Sequence, residues 1–321
     1  MVVRIIDGFV RSMIVVFWMS CIALFLSVPY FSFFSPQKSL AVLAWSGNFN
    51  RAYVEQFERE TGIKVHLSYY STNEELLVKV GATSGQEYDV IMPSDYAVKK
   101  LIDKNLLKKI DKSKLNFFEM LNPLLLGHDF DPYNDYSIPY EWEIYIVGIN
   151  KALLDQSLAI TSETVWNVIF NQYGMKNFVK NSFYKIIMVN DPVEMVLFAA
   201  RYLFGSVEQL NDDQINQVQL LLQNQKKYVE AYADVRGGYF LSTGSVAFAL
   251  AHSAEIWKVM KDNSSLDFIV PDTTFISIEH CVIPRGTNKE DYIYKFLNFF
   301  FTQDAYKFHY NEQYFCPARL D

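Results

Sequence analysis

Between residues 39 and 104 the sequence passes three times from a short apolar run to an amphipathic helical stretch, and this alternation narrows the possible folds more than any other feature. A continuous apolar run of strand length is buried on both faces, and covering both faces takes helices, so repeated strand–helix units imply a parallel sheet. Residues 40–44 read as the first buried strand. Arg51–Thr61 follows as a helix ended at Gly62, where glycine tolerates the left-handed conformation. Residues 63–69 form the next strand, and Thr72-Asn73-Glu74-Glu75 is a capping box opening a helix through about Val80. Residues 89–92 make a short third strand, and Pro93-Ser94-Asp95 turns it into a helix over 96–104. Asp95 is the expected cap of that helix.

The run YSIPYEWEIYIVGIN over 136–150 is too long and too continuously extended for one ordinary strand, and can carry the chain between lobes. A second series follows: strand 184–189, helix 192–203, polar helix 212–228, strand 245–251 and helix 254–262. Segments 268–271 and 275–284 are extended again and supply a return crossover, after which helices over 290–301 and 305–311 finish the chain. At 321 residues, the chain exceeds one ordinary core. The expected organisation is therefore an α/β protein of two lobes joined by extended hinge segments: residues 39–145 with 278–321 as lobe 1, and 146–277 as lobe 2.

Half of the residues are hydrophobic and one-fifth charged, which fits a packed globular protein and excludes disorder. Most of the 26 Phe and 21 Tyr are expected to fill the cores. The formal charge is −7, and residues 1–35 contribute +1 through Arg4, Arg11 and Asp7, leaving −8 on the body. An acidic body makes nucleic acid an unsuitable partner, because phosphate binding needs a basic face. It permits a cationic ligand. Arg4 and Arg11 precede an uncharged run from Ser12 to Val28, the pattern of an export signal. Residues 1–35 are accordingly a signal peptide or an N-terminal membrane anchor, which exports the body from the cytoplasm, free or tethered to the membrane. Cys21, after Trp18-Met19-Ser20, sits in a poor lipidation motif.

In open α/β sheets ligands bind beyond the carboxyl ends of the strands. That rule selects Trp45, Ser46, Ser94, Tyr96, Asp191, Glu194, His252 and Glu279. Asp191 and Glu194, three residues apart at a helix start, share one side of that helix, and the same pair suits helix capping. Trp45 and Trp142 are open between core packing and ligand contact. Glu279-His280-Cys281 invites a metal reading, but alternation along a strand sends His280 to the opposite face. No paired ligand spacing supports a metal, and none is expected. No cofactor fingerprint, phosphate loop or serine elbow is present; an acid/base pair of Asp191 with Glu194 or Glu279 would be the only route to an enzyme.

Four ordered words carry a resemblance: EQFERETGIKV (55–65), EYDVIMPSDYAV (87–98), KKIDKSKLNF (108–117) and FDPYNDYSIPYEW (130–142). With them the chain resembles the bacterial spermidine/putrescine-binding proteins of polyamine ABC transporters over roughly residues 40–320. The resemblance implies a type II periplasmic binding protein fold with an interlobe cleft. It implies a monomeric receptor that captures a polyamine and delivers it to the permease and ATPase subunits of an importer. It assigns the family's Trp-Thr pair to Trp45 and Ser46, its strand-end Ser and Tyr to Ser94 and Tyr96, and its paired acids to Asp191 and Glu194. A third family acid falls on Glu279 and a late Tyr on Tyr314. The register also sets Cys281 and Cys316 two residues beyond Glu279 and Tyr314, which suggests a disulfide. Departures are equally specific: an early family aromatic is Asn48 here, two pocket tryptophans fall on His252 and Ser277, and the stretch adding a pocket Gln is missing. The acids survive better than the aromatic box, so a membrane-anchored amine sensor, or a receptor for another cationic solute, is the alternative.

The chemistry agrees with the acids. An ammonium group offers three donors and no acceptor, and removing it from water is costly unless a carboxylate compensates.

Overall fold

The computed structural model describes residues 13–22, 38–46, 51–155, 159–181, 185–205, 207, 209–233, 236–304, 307, 311 and 314–320. The first half of the sheet contains β1 (Ser39–Trp45), β2 (Lys64–Tyr70) and β3 (Val90–Ile91), with helices α1 (Arg51–Thr61), α2 (Asn73–Thr83) and α3 (Asp95–Asp103) between and after them. β1 pairs in parallel with both β2 and β3. The local signals act as expected. Gly62 takes φ 68° and returns its N–H to the Glu58 carbonyl. Thr72 Oγ1 accepts from the Glu75 N–H at 3.1 Å, while Glu75 Oε2 accepts from the Ser71 N–H at 2.8 Å, so the box closes one residue outside the cap. One cap is corrected: Ser94, not Asp95, holds the N-cap position of α3, and Asp95 accepts the next amide, from Tyr96, at 2.6 Å.

β4 (Ser137–Asn150) is the long passage. Over 137–144 it pairs antiparallel with β9 (Ile276–Val282), with a bulge at Tyr140. Over 145–150 it pairs antiparallel with β7 (Phe248–His252) and β8 (Leu266–Ile269). β5 (Ile186–Met188) lies parallel between β6 (Val229–Tyr232) and β7. The whole order is β2-β1-β3-β9-β4-β7-β5-β6, so each half repeats three parallel strands plus an antiparallel fourth. β10 (Cys316–Pro317) adds to β4 at Trp142 and Glu141.

The second half carries α4 (Val165–Phe170), α5 (Gln172–Phe178), α6 (Pro192–Phe204), α7 (Asp212–Gln225), α8 (Gly237–Ser242) and α9 (Ser253–Met260), and α10 (Glu290–Phe300) packs on the first. Four apolar clusters form the interior. Two draw on residues 40–142 and 278–318, and two on residues 144–275. The chain therefore changes core at Glu143 in β4 and between Phe275 and Ile278 on the approach to β9. Aromatic rings fill the cores: Tyr70, Tyr140, Phe57, Phe117, Phe198 and Phe248 are fully buried.

The suggested disulfide is not formed: Cys281 and Cys316 are both free thiols. Cys281 pairs with Ile138 from β9 and Cys316 with Trp142 from β10, so β4 runs between them. Strands lie about 4.8 Å apart, and two such steps exceed the Cα separation a disulfide spans. Of the expected export segment only residues 13–22 are described, as an exposed helix. Among the described residues no helix is long and apolar enough to cross a membrane. The position of Asn48 and most of the expected helix at 305–311 lie outside the described residues.

Candidate functional site

The parallel strands of both halves point their carboxyl ends at one cleft with a cavity volume of about 560 Å³. Trp45 and Ser46 reach it from the end of β1, Ser94 from the end of β3, Asp191 and Glu194 from the turn after β5, and His252 from the end of β7. Glu279 enters from β9, opposite Glu141 and bridged to Ser94. Seven of the nine expected residues line this one cleft without Glu279 being a parallel strand end.

The remaining two sit elsewhere. Tyr96 lines an adjoining cavity of about 160 Å³ that shares Ser94, Asp191 and Glu194 with the cleft. Tyr314 is not among the described lining residues, and Phe315 takes its place. Tyr314 has φ 63°, a left-handed conformation unusual for an aromatic residue, and that turn presents the next side chain to the cleft. Trp142 belongs to the core: it is half-buried and donates Nε1–H to the Pro317 carbonyl at 3.2 Å.

Trp45 packs against Tyr70 with ring centroids 4.5 Å apart and the planes tilted by 46°, and donates Nε1–H to Glu279 Oε2 at 2.7 Å. Glu279 is only 8% exposed. Burial, reinforced by repulsion from Asp95 and opposed by the Trp45 bond, pushes its carboxyl up to about 8. Asp191 serves as the cap of α6. Its Oδ1 accepts from the Val193 and Glu194 amides at 2.8 and 3.0 Å. Capping and cleft-lining thus coexist in one carboxylate, because the two amides engage one oxygen.

His252 lies against Tyr145, ring centroids 4.3 Å apart, and its Nδ1 is 2.9 Å from Glu143 Oε1. The contact is an ion pair held mainly by charge. Burial alone would lower His252, but the attraction of Glu143 prevails and raises it to about 10. His280 behaves oppositely. Fully buried beside His128, it is depressed to about 3 and stays a neutral imidazole with Nδ1 3.1 Å from the Ile278 carbonyl. Among the described residues no three His, Cys, Asp or Glu side chains are grouped to hold a metal.

Sequence reading overlooked three charged residues of the lining: Glu143, Glu255 and Lys258. Glu143 pairs across the sheet with Ser277, a pocket position in the family register, but that pairing is visible only in the fold. Glu255 and Lys258 stand at i, i+3 in α9, the helix that His252 opens. With Asp191, Glu194 and Glu279 the cleft brings five carboxyl groups together, against one lysine and one histidine. Such a surface favours a cation and disfavours an anion.

The architecture and this cleft define a two-lobed solute-binding protein of the type II periplasmic class. Its fold superposes on a solved structure described as a putative spermidine/putrescine ABC transporter from Listeria monocytogenes, with a TM-score of 0.78, 23% identity, and coverage of 88% of this chain and 84% of that one. Residues 52–321 match the bacterial extracellular solute-binding protein family, and the chain belongs to it. Among characterised relatives it is 27% identical to the spermidine/putrescine-binding periplasmic protein of Salmonella typhimurium, over 85% of this chain and 75% of that protein. It is 28% identical to a putrescine/cadaverine-binding protein of Pseudomonas aeruginosa, over 82% of this chain and 74% of that protein.

Proposed function

We propose that this solute-binding protein is the extracytoplasmic receptor of a polyamine importer and holds its ligand in the acid-lined cleft. The observation that carries the reading is the convergence of Asp191, Glu194 and Glu279 with the Trp45 ring at the strand ends. Each carboxylate can accept charge-assisted hydrogen bonds from an ammonium group, which are stronger than neutral ones. The indole supplies an apolar face for the methylenes and an attractive face for the charge. Ser46, Ser94 and Ser277 add neutral acceptors along the same wall.

Lobe 1, residues 39–145 with 278–321, and lobe 2, residues 146–277, move as units about β4 and the approach to β9. The separation of the apolar clusters supports this division. Ligand bridging both walls stabilises the closed form by its preference for it over the open one. The closed monomer is then read by the importer's permease and ATPase subunits. The ligands for which the relatives are named support the amine class, and residues 1–35 serve export to the periplasm, removed or kept as a tether.

A thermal-shift panel tests the reading. Putrescine, cadaverine and spermidine are expected to raise the melting temperature of the purified protein, since a ligand bound only by the native state stabilises it. Glutamate, a neutral sugar and ferric ion are expected to leave it unchanged. Stabilisation by one of those three and by no amine would overturn the assignment.

A further inference from the structure

The wall formed by β7 and α9 brings two cations of the protein's own into a cleft whose other charged side chains are all acids. His252 pairs with Glu143 at 2.9 Å. One turn into α9, Lys258 is half-buried in the lining, and its ammonium lies 5.7 Å from the centroid of the Phe315 ring. Phe315 is one of the few aromatic faces in the lining, and a lysine already covers it. Burial lowers Lys258, while Glu255, Glu143 and Glu141 pull it back toward the charged form.

We propose that Lys258 is a specificity-determining residue, its ammonium standing where one charged nitrogen of a longer polyamine would sit, so that the protein selects diamines over triamines. The inference rests on the polyamine reading and adds a length rule to it. A tethered ammonium satisfies the cation-binding capacity of the α9 wall and repels a ligand nitrogen brought beside it. Selectivity built from repulsion in this way needs no extra contact with the favoured ligand. Two acids of the lining have no protein cation within ion-pair distance among the described residues: Asp191, which accepts backbone amides, and Glu279, which accepts the Trp45 indole. A ligand with two ammonium groups meets that pair of acids.

Calorimetric titration of the purified full chain with putrescine, cadaverine and spermidine tests the rule. The wild type is expected to bind its better diamine at least tenfold more tightly than spermidine. In Lys258→Met and Lys258→Gln the ratio is expected to fall tenfold or more in favour of spermidine. Lys258→Arg, which keeps the charge, is expected to keep the wild-type ratio. Should Lys258→Met fail to melt cooperatively, Lys258→Gln against Lys258→Arg carries the comparison. A wild-type preference for spermidine, or an unmoved ratio in folded neutral variants, overturns the role of Lys258 while leaving the amine reading intact. Absence of binding by all three amines overturns the amine reading itself.

Discussion

Glu279 illustrates how a single residue joins recognition to proton chemistry. Its ordinary value is 4.5 and its value in the fold is about 8, so folding favours the protonated form. The stabilising contribution is complete below pH 4.5 and is lost as the pH rises through 8. His252, raised from 6.5 to about 10, contributes stability that is complete below pH 6.5 and is lost progressively from there as the pH rises through 10. Between pH 5 and 8.5, therefore, the larger part of the loss belongs to Glu279. Urea unfolding at those two pH values is expected to show a smaller decline in Glu279→Gln than in the wild type; parallel declines would refute the assignment. An ammonium arriving beside Glu279 favours the carboxylate, so binding at pH 7 is expected to release a proton. Calorimetry in buffers of different ionisation enthalpy should detect that release in the wild type and not in Glu279→Gln, together with an affinity loss of about 1.5–3 kcal/mol in the variant. The acids at 191 and 194 were legible in the sequence through strand-end position and family register, and Glu279, which lies within β9, through family register. Lys258 was not: a lysine within a helix reads as solvated surface until the helix is seen to face the cleft.

At the scale of elements, β4 organises the molecule because its two halves take different partners. Most of it was legible as an unusually long extended run, and Gly148 within it has a specific reason. A Cβ there would meet Leu241 Cδ1 at 2.6 Å and Ile256 Cδ1 at 2.7 Å. The glycine lets α8 and α9 lie directly on the strand, and α9 carries Glu255 and Lys258 into the cleft. Gly148→Ala is expected to cost about 1–3 kcal/mol through overpacking, measurable as a lower urea midpoint with an unchanged slope. An unchanged midpoint would show that these helices shift freely. Elements the sequence concealed are those with weak periodicity. α4 and α5 are six and seven residues long, too short to display two turns of an apolar stripe. α8 begins Gly-Gly, a pair that ordinarily argues against a helix, yet Glu255 and Val259 crowd Gly238 so closely that no larger residue fits. β6 follows α7 through a single tight turn at Lys226–Tyr228, which was read as the helix's end, and its four residues were assigned to no element.

For the whole molecule, two apolar cores on one sheet place the acids where the halves meet. The strand–helix alternation gave the first half almost residue by residue, because β1 is a clean apolar run, Gly62 ends α1 and Thr72 caps α2. The second half was less legible because its strands are short and its pairing with β4 is non-local, a matter of distant register that no local pattern carries. The displacement of Tyr314 by Phe315 has the same origin, since a single left-handed residue redirects the side chains after it. What the sequence did carry was the sign of the cleft. The central claim, an amine held by acids from both halves, is tested most directly by titrating wild type and the triple variant Asp191→Asn/Glu194→Gln/Glu279→Gln with putrescine and spermidine in a calorimeter. Saturable one-to-one binding of an amine by the wild type, abolished in a folded triple variant, is the expected result. Equal binding by both proteins, or no heat from either amine with the wild type, would contradict it.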